Sequence, residues 1–136
     1  MGITIYSKAS KLSFDMGYGG FHNLRCNIAD CIDAKFGEVY RDYTLCVQSP
    51  QLWAEKLNTI IEKKNLNCDL ALDFLFESDC SGEADYKTCR EILEIIKDVD
   101  FGNKYFRYGA IAHNDYEEFK AFLGDCVRYH RKMKWD

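Results

Sequence analysis

Proline is nearly absent: Pro50 is the only one in 136 residues. Together with a modest nine glycines, that scarcity excludes a collagen-like, proline-rich or low-complexity chain. No run of 18 apolar residues occurs, so no membrane-spanning helix is expected. The opening Met1-Gly2-Ile3-Thr4-Ile5-Tyr6-Ser7-Lys8 lacks the uncharged apolar core of an export signal, and Tyr6 stands where N-myristoylation needs Ser or Thr. Histidines number three, with no His-x-x-x-His spacing, and no Cys-x-x-Cys occurs. No metal centre is therefore expected. Walker and dinucleotide glycine loops, a G-x-S-x-G serine and paired catalytic carboxylates are also missing, and no cofactor is expected.

The seven cysteines are odd in number and lack an export signal, which reads as reduced thiols rather than a disulfide framework. A net charge of −4 argues against a general nucleic-acid binder, whose affinity comes from cations matched to phosphates. Hydrophobic residues make up 47% of the chain and aromatics 15%, enough for a core at a length that suits one domain, residues 1–136. The expectation is a single intracellular, cytoplasmic α+β domain. Monomer and homodimer both remain open.

The fold expected is about five helices on a small antiparallel sheet formed by an N-terminal hairpin and a C-terminal strand. Ile3–Tyr6 is rich in β-formers, and Leu12–Met16 alternates apolar and polar, so the two read as a hairpin. Gly17-Tyr18-Gly19-Gly20 breaks the pattern. Phe21, Leu24, Ile28, Ile32 and Phe36 then recur at helical spacing, predicting a helix that ends near Gly37. Residues 38–48 fit either helix or a short extended segment. Ser49-Pro50 opens a helix carrying Trp53, Leu57, Ile60, Ile61 and Lys64, which stops at Asn65. Residues 70–76 are almost continuously apolar and favour a buried helix, with strand as the alternative. A turn at 78–82 precedes a helix from Tyr86 to Val99, and residues 100–113 form a long irregular stretch. Asn114, with Glu117, predicts a capping box for a last helix whose apolar face runs from Tyr116 to His130. Lys132–Trp135 alternates again, and a lone hairpin is marginal, so this strand is expected to join the first two.

Three places stand out as sites. The glycine turn runs into a helix N-terminus, a setting that suits an anion, with Gly19, Gly20 and Arg25 as the phosphate-binding residues. The long stretch 100–113 carries Tyr105, Phe106, Arg107 and Tyr108 beside Gly109, an aromatic loop that offers Arg107 and Tyr108 to stack a base or to meet a phosphate. The Ser78-Asp79-Cys80-Ser81-Gly82 turn presents Cys80 as a nucleophile candidate, and His113 is the other residue a small enzyme could use. Ordinary turn chemistry also accounts for each of the two turns. Arg128, Arg131, Lys132 and Lys134 form a basic end, read first as cations complementing a helix C-terminus. If the last strand joins the hairpin, Lys132 and Lys134 bring positive charge to the sheet.

Two segments carry a resemblance. Gly2–Lys8 with Met16–Phe21, and Phe74–Glu83 with its Ser-Asp-Cys-x-Gly turn followed by the Cys89 helix, resemble small phage and mobile-element proteins. The resemblance covers about a fifth of the chain and transfers no activity. It implies a context: the bacterial host cytoplasm and small accessory proteins that act against host defences. Within that context the expected function is non-catalytic sequestration of a small phosphorylated or nucleotide signal. An inhibitor docking on a host protein is the first alternative, and a small enzyme using Cys80 or His113 is the second.

Overall fold

Alternating residues at both ends of the chain build one sheet, and the helical segments between them cover one of its faces. The computed structural model describes residues 2–8, 13–45, 50–78, 80–99 and 113–136. Along them run β1 (Gly2–Tyr6), β2 (Ser13–Gly17), α1 (Tyr18–Ile32), α2 (Ala34–Leu45), α3 (Pro50–Lys64), α4 (Asp69–Phe76), β3 (Gly82–Ala84), α5 (Tyr86–Ile96), α6 (His113–Tyr129) and β4 (Met133–Trp135). The strands form one antiparallel sheet in the order β2-β1-β4-β3. The hairpin and the returning C-terminal strand are as expected. The short β3, within a stretch read as a turn leading to a helix, is an addition.

Register separates the two faces of the sheet. Ile5 lies opposite Trp135, and Met133 opposite Ala84. All four are buried, with Ile3 and Met16, against the helices. One residue along each strand the chain turns outward, as the two-residue period requires. There Tyr6 pairs with Lys134, Lys134 with Glu83, and Thr4 donates to Asp15 Oδ1 at 2.6 Å.

The expected long first helix is two helices. At Asp33 the chain folds back, and its carboxylate accepts from the Phe36 N–H at 2.9 Å, capping α2. A Cβ on Gly37 would lie 2.6 Å from the Asp30 Cα. Glycine at that point lets α2 approach the backbone of α1, an arrangement that spacing within one helix does not register. Lys64 of α3 reaches Asp33 at 3.0 Å. Residues 38–45 are helix, and residues 46–48 lie outside the described residues, as does Ser49. Asn65 ends α3 at φ 51°, the left-handed conformation that asparagine tolerates after a helix.

Helix α1 occupies the centre, with Phe21 and Leu24 through Ala29 all buried. Residues 69–76 are helix, though Leu70 and Phe76 face outward. Helix α5 buries Cys89, Ile92 and Ile96, and α6 buries Tyr116, Phe119, Phe122, Leu123 and Cys126. The Tyr116 hydroxyl meets the carbonyls of Ile96 and Val99, locking α6 to the end of α5. Helix α6 opens at His113, one residue ahead of the expected Asn114 cap, whose side chain lies outside the described residues. His130 is not on the helical face as expected. It sits just beyond α6 at φ 53°, where the Arg131 N–H bonds back to the Cys126 carbonyl at 2.9 Å, closing the helix in a Schellman arrangement.

The N-cap of α5 is Asp85, which accepts from the Thr88 N–H at 2.9 Å. That bond is the main cause holding its carboxyl below the ordinary range, with burial opposing it. Because the folded-state pKa is the lower one, the cap stabilises the fold above about pH 4 and loses this contribution as pH falls through the folded value. Asp85→Asn, which keeps an acceptor but not the titration, is expected to show a shallower acid limb. Urea midpoints at pH 7 and pH 3 check this, the gap between wild type and variant narrowing towards acid.

Candidate ligand-binding site

The expected phosphate residues do not form a site together. Strand β2 passes directly into α1, so Gly19 and Gly20 are helical residues of its first turn. A Cβ on Gly20 would meet Met16 at an ordinary 3.8 Å, and no steric demand for glycine exists there. Arg25 is buried, and its guanidinium faces the end of α4. Nη2 lies on the carbonyls of Phe74 (2.9 Å), Leu75 and Glu77 (2.6 Å). The rings of Phe21 and Phe74 flank it at 5.4 and 5.5 Å. The reason for this placement is electrostatic: a helix C-terminus concentrates unpaired carbonyls and partial negative charge. A cation from the central helix satisfies them, so in this structure Arg25 serves as a cap on α4. Arg107 and Tyr108 lie outside the described residues.

The Ser-Asp-Cys turn has a structural occupation of its own. Ser78 Oγ accepts from the Cys80 N–H at 3.1 Å, and the Ser78 carbonyl accepts from the Trp135 indole at 3.0 Å. Gly82 lies opposite Trp135 in the β3–β4 pair, and a Cβ there would fall 2.3 Å from the indole ring. The turn is the socket of Trp135. Gly82→Ala is expected to cost about 1–3 kcal/mol through overpacking, read as a lower urea midpoint with unchanged slope. Cys80 is exposed on this turn, and the side chain of His113 lies outside the described residues.

One pair of reactive types escaped the sequence reading. His22 Nε2 lies 3.5 Å from Cys26 Sγ on α1, an i,i+4 spacing visible in the sequence once both are placed on a helix. The Cys26 side chain is wholly buried, which leaves its sulfur no route to a substrate in this conformation. None of the six described cysteines forms a disulfide, and Cys26, Cys68, Cys89 and Cys126 are buried, in keeping with their reading as small hydrophobes. Among the described residues no cluster of His, Cys, Asp or Glu is arranged to hold a metal.

The geometry instead brings the basic end to the sheet. Because β4 pairs with β1, Lys132 and Lys134 meet Ser7 and Lys8 at the end of β1, with His130 and Arg131 closing a recess of about 380 Å³. Arg131 is paired with Asp125 at 3.1 Å, and Glu83 pairs with both Lys132 (3.5 Å) and Lys134 (3.6 Å). Four cations thus face two carboxylates, leaving a positive excess. His130 is held by its ring, stacked on Tyr86 at 4.1 Å and 10°. Its imidazole and left-handed backbone mark the recess edge.

The chain is thus an α+β protein, a four-stranded antiparallel sheet covered by helices on one face, with a basic recess at the strand ends. No protein-family model, curated protein or solved structure matches it. Among the described residues no helix is long and apolar enough to cross a membrane.

Proposed function

We propose that this protein is a non-catalytic binder of a small phosphorylated ligand, of the nucleotide-signal class, held in the basic recess. The observation that supports the reading is the convergence of Lys8, His130, Arg131, Lys132 and Lys134 around one concavity. Its size is within the range of small-ligand pockets. The setting that goes with the reading is a phage-type accessory protein acting in the bacterial cytoplasm by sequestering a host defence signal. Arg107 and Tyr108 stay in the proposal as base partners.

Glu83 gives the recess a built-in exchange. Bound to two lysines, it occupies the charge that a phosphate would take. Exposed ion pairs are worth only about 0–1 kcal/mol, so a phosphate dianion competes with it at small cost. Removing Glu83 therefore has the opposite effect to removing a lysine. Against a panel of inorganic phosphate, cyclic nucleotides and ADP-ribose compounds, one member is expected to stabilise the protein by about 2.7 kcal/mol at a hundredfold excess over its dissociation constant. Glu83→Gln is expected to strengthen that shift and Lys134→Gln to weaken it. A panel without any shift, or a shift indifferent to both substitutions, removes the proposal.

A further inference from the structure

The cleft between α4, β3 and the start of α5 adjoins the recess, sharing Glu83 and Lys132 with the anion reading, and has the opposite charge. It encloses about 630 Å³, and Asp73, Glu77, Glu83 and Asp85 line it, with Lys132 at the edge it shares with the recess. Apart from Thr88, its remaining wall is apolar, made by Leu70, Phe74, Phe76 and Ala84. Among the described residues four large hydrophobic side chains are exposed, and two of them, Leu70 at 37% and Phe76 at 41%, are on this wall, Phe76 with one edge against the Tyr40 ring at 6.2 Å. The opposite face of α4 is buried, with Ala71, Leu72, Phe74 and Leu75 in the core, while Asp69 and Asp73 are exposed beside Leu70 and Phe76. The outward pair is therefore not a remnant of a helix that packs poorly.

Two of the carboxylates already have work: Glu83 holds the two lysines, and Asp85 caps α5. Asp73 is on α4 and Glu77 is its extended C-cap residue, both on the wall of the cleft, where their like charges oppose one another. Burial, with the charges of Glu83 and Asp73, pushes the Glu77 carboxyl above its ordinary range, while Arg25 pulls it down. A cation arriving between Asp73 and Glu77 relieves that crowding, and an apolar group beside it covers Leu70 and Phe76. The chain's own basic stretch cannot be the occupant, because Lys132 and Lys134 are tied to Glu83 and β4 is built into the sheet. A small polycation would leave the apolar wall wet.

We propose that this cleft docks a basic amphipathic peptide segment of a partner protein, with a lysine or arginine between Asp73 and Glu77 and an apolar side chain on Leu70 and Phe76. The test is fluorescence anisotropy of a labelled Lys/Leu peptide titrated with the full chain, beside a Glu/Leu peptide of the same length and spermidine as competitor. Saturable, salt-sensitive binding of the basic peptide alone is expected. Asp73→Asn with Glu77→Gln, and separately Phe76→Ala, are each expected to weaken it by about tenfold. Glu94→Gln with Glu118→Gln makes the same change in net charge outside the cleft and is expected to leave binding unaltered. An equal loss in that control pair, no loss in Phe76→Ala, or full displacement by spermidine would each overturn the proposal. All variants change exposed side chains, and matched urea midpoints separate lost binding from lost folding. The phosphate panel is run without peptide, so failure of one proposal does not mimic failure of the other.

Discussion

Trp135→Ala is expected to lower the unfolding free energy by about 3–5 kcal/mol, a large share of the stability of a domain this size. The indole is 1% exposed and joins three parts of the chain distant in sequence. Its ring lies edge-on to Phe74 at 5.3 Å and tilted against Phe21 at 5.9 Å. Its N–H reaches the Ser78 carbonyl, and its strand holds β1 to β3. Truncation leaves a cavity bounded by aromatic rings that cannot collapse without moving α1 or α4. Trp135→Phe keeps most of the packing and loses the donor, and because Ser78 is exposed, water can take over its carbonyl. The smaller loss of about 1 kcal/mol follows. The socket model makes a further demand: Gly82→Ala should cost less in the Trp135→Ala background than alone, since the clashing ring has gone. Urea unfolding of the four proteins gives the coupling, and strict additivity would falsify the socket.

Arg25→Met is the second large effect, with an expected loss of about 3 kcal/mol or more. The side chain is 4% exposed, and its charge is balanced by carbonyls, ring faces and the nearby Glu77 carboxylate. Removing it takes the charged donor from the carbonyls of Phe74 and Glu77 at the end of α4, and the Phe74 carbonyl keeps only the long bond from the Glu77 N–H at 3.4 Å. The Leu75 carbonyl keeps the Tyr40 hydroxyl at 2.7 Å. Arg25→Lys is expected to recover only part of the loss, because an ammonium is a point charge and does not reproduce the planar fork. This result separates two readings of the same residue. A ligand-contacting arginine can be replaced with little change in the unfolding midpoint of the unliganded protein, whereas the cap cannot. The thermal midpoint of the unliganded variants decides between them.

How legible the protein was depended on the range of the interaction. Local patterns read well where one period dominated: the alternation in β1, β2 and β4, proline at the start of α3, and the apolar rows of α5 and α6. They read poorly where long-range packing overrode them. Phe36 continues the spacing of α1, yet Asp33 breaks the helix because its carboxylate finds the Phe36 N–H and Gly37 admits a neighbouring backbone. Strand β3 has three residues and no pattern of its own, and is strand because β4 lies beside it. Arg25 looked like a phosphate residue because it follows glycines near a helix start. The sequence cannot show that the end of α4, some fifty residues away, lies against it with carbonyls to satisfy.

The sequence by itself determined the α+β class, the joining of the C-terminal strand to the N-terminal hairpin, and the burial of most cysteines. Each follows from periodicity and from hydrophobic composition, which act through neighbours a few residues apart. Tertiary structure alone decided what the polar groups do. It turned the Ser-Asp-Cys turn into a tryptophan socket and Arg25 into a helix cap. It also gathered Lys8 and the basic end into one recess, and set an acidic, partly apolar cleft beside it. Those roles depend on charge and donor geometry between segments remote in sequence, and only the packed sheet and helices bring them within reach.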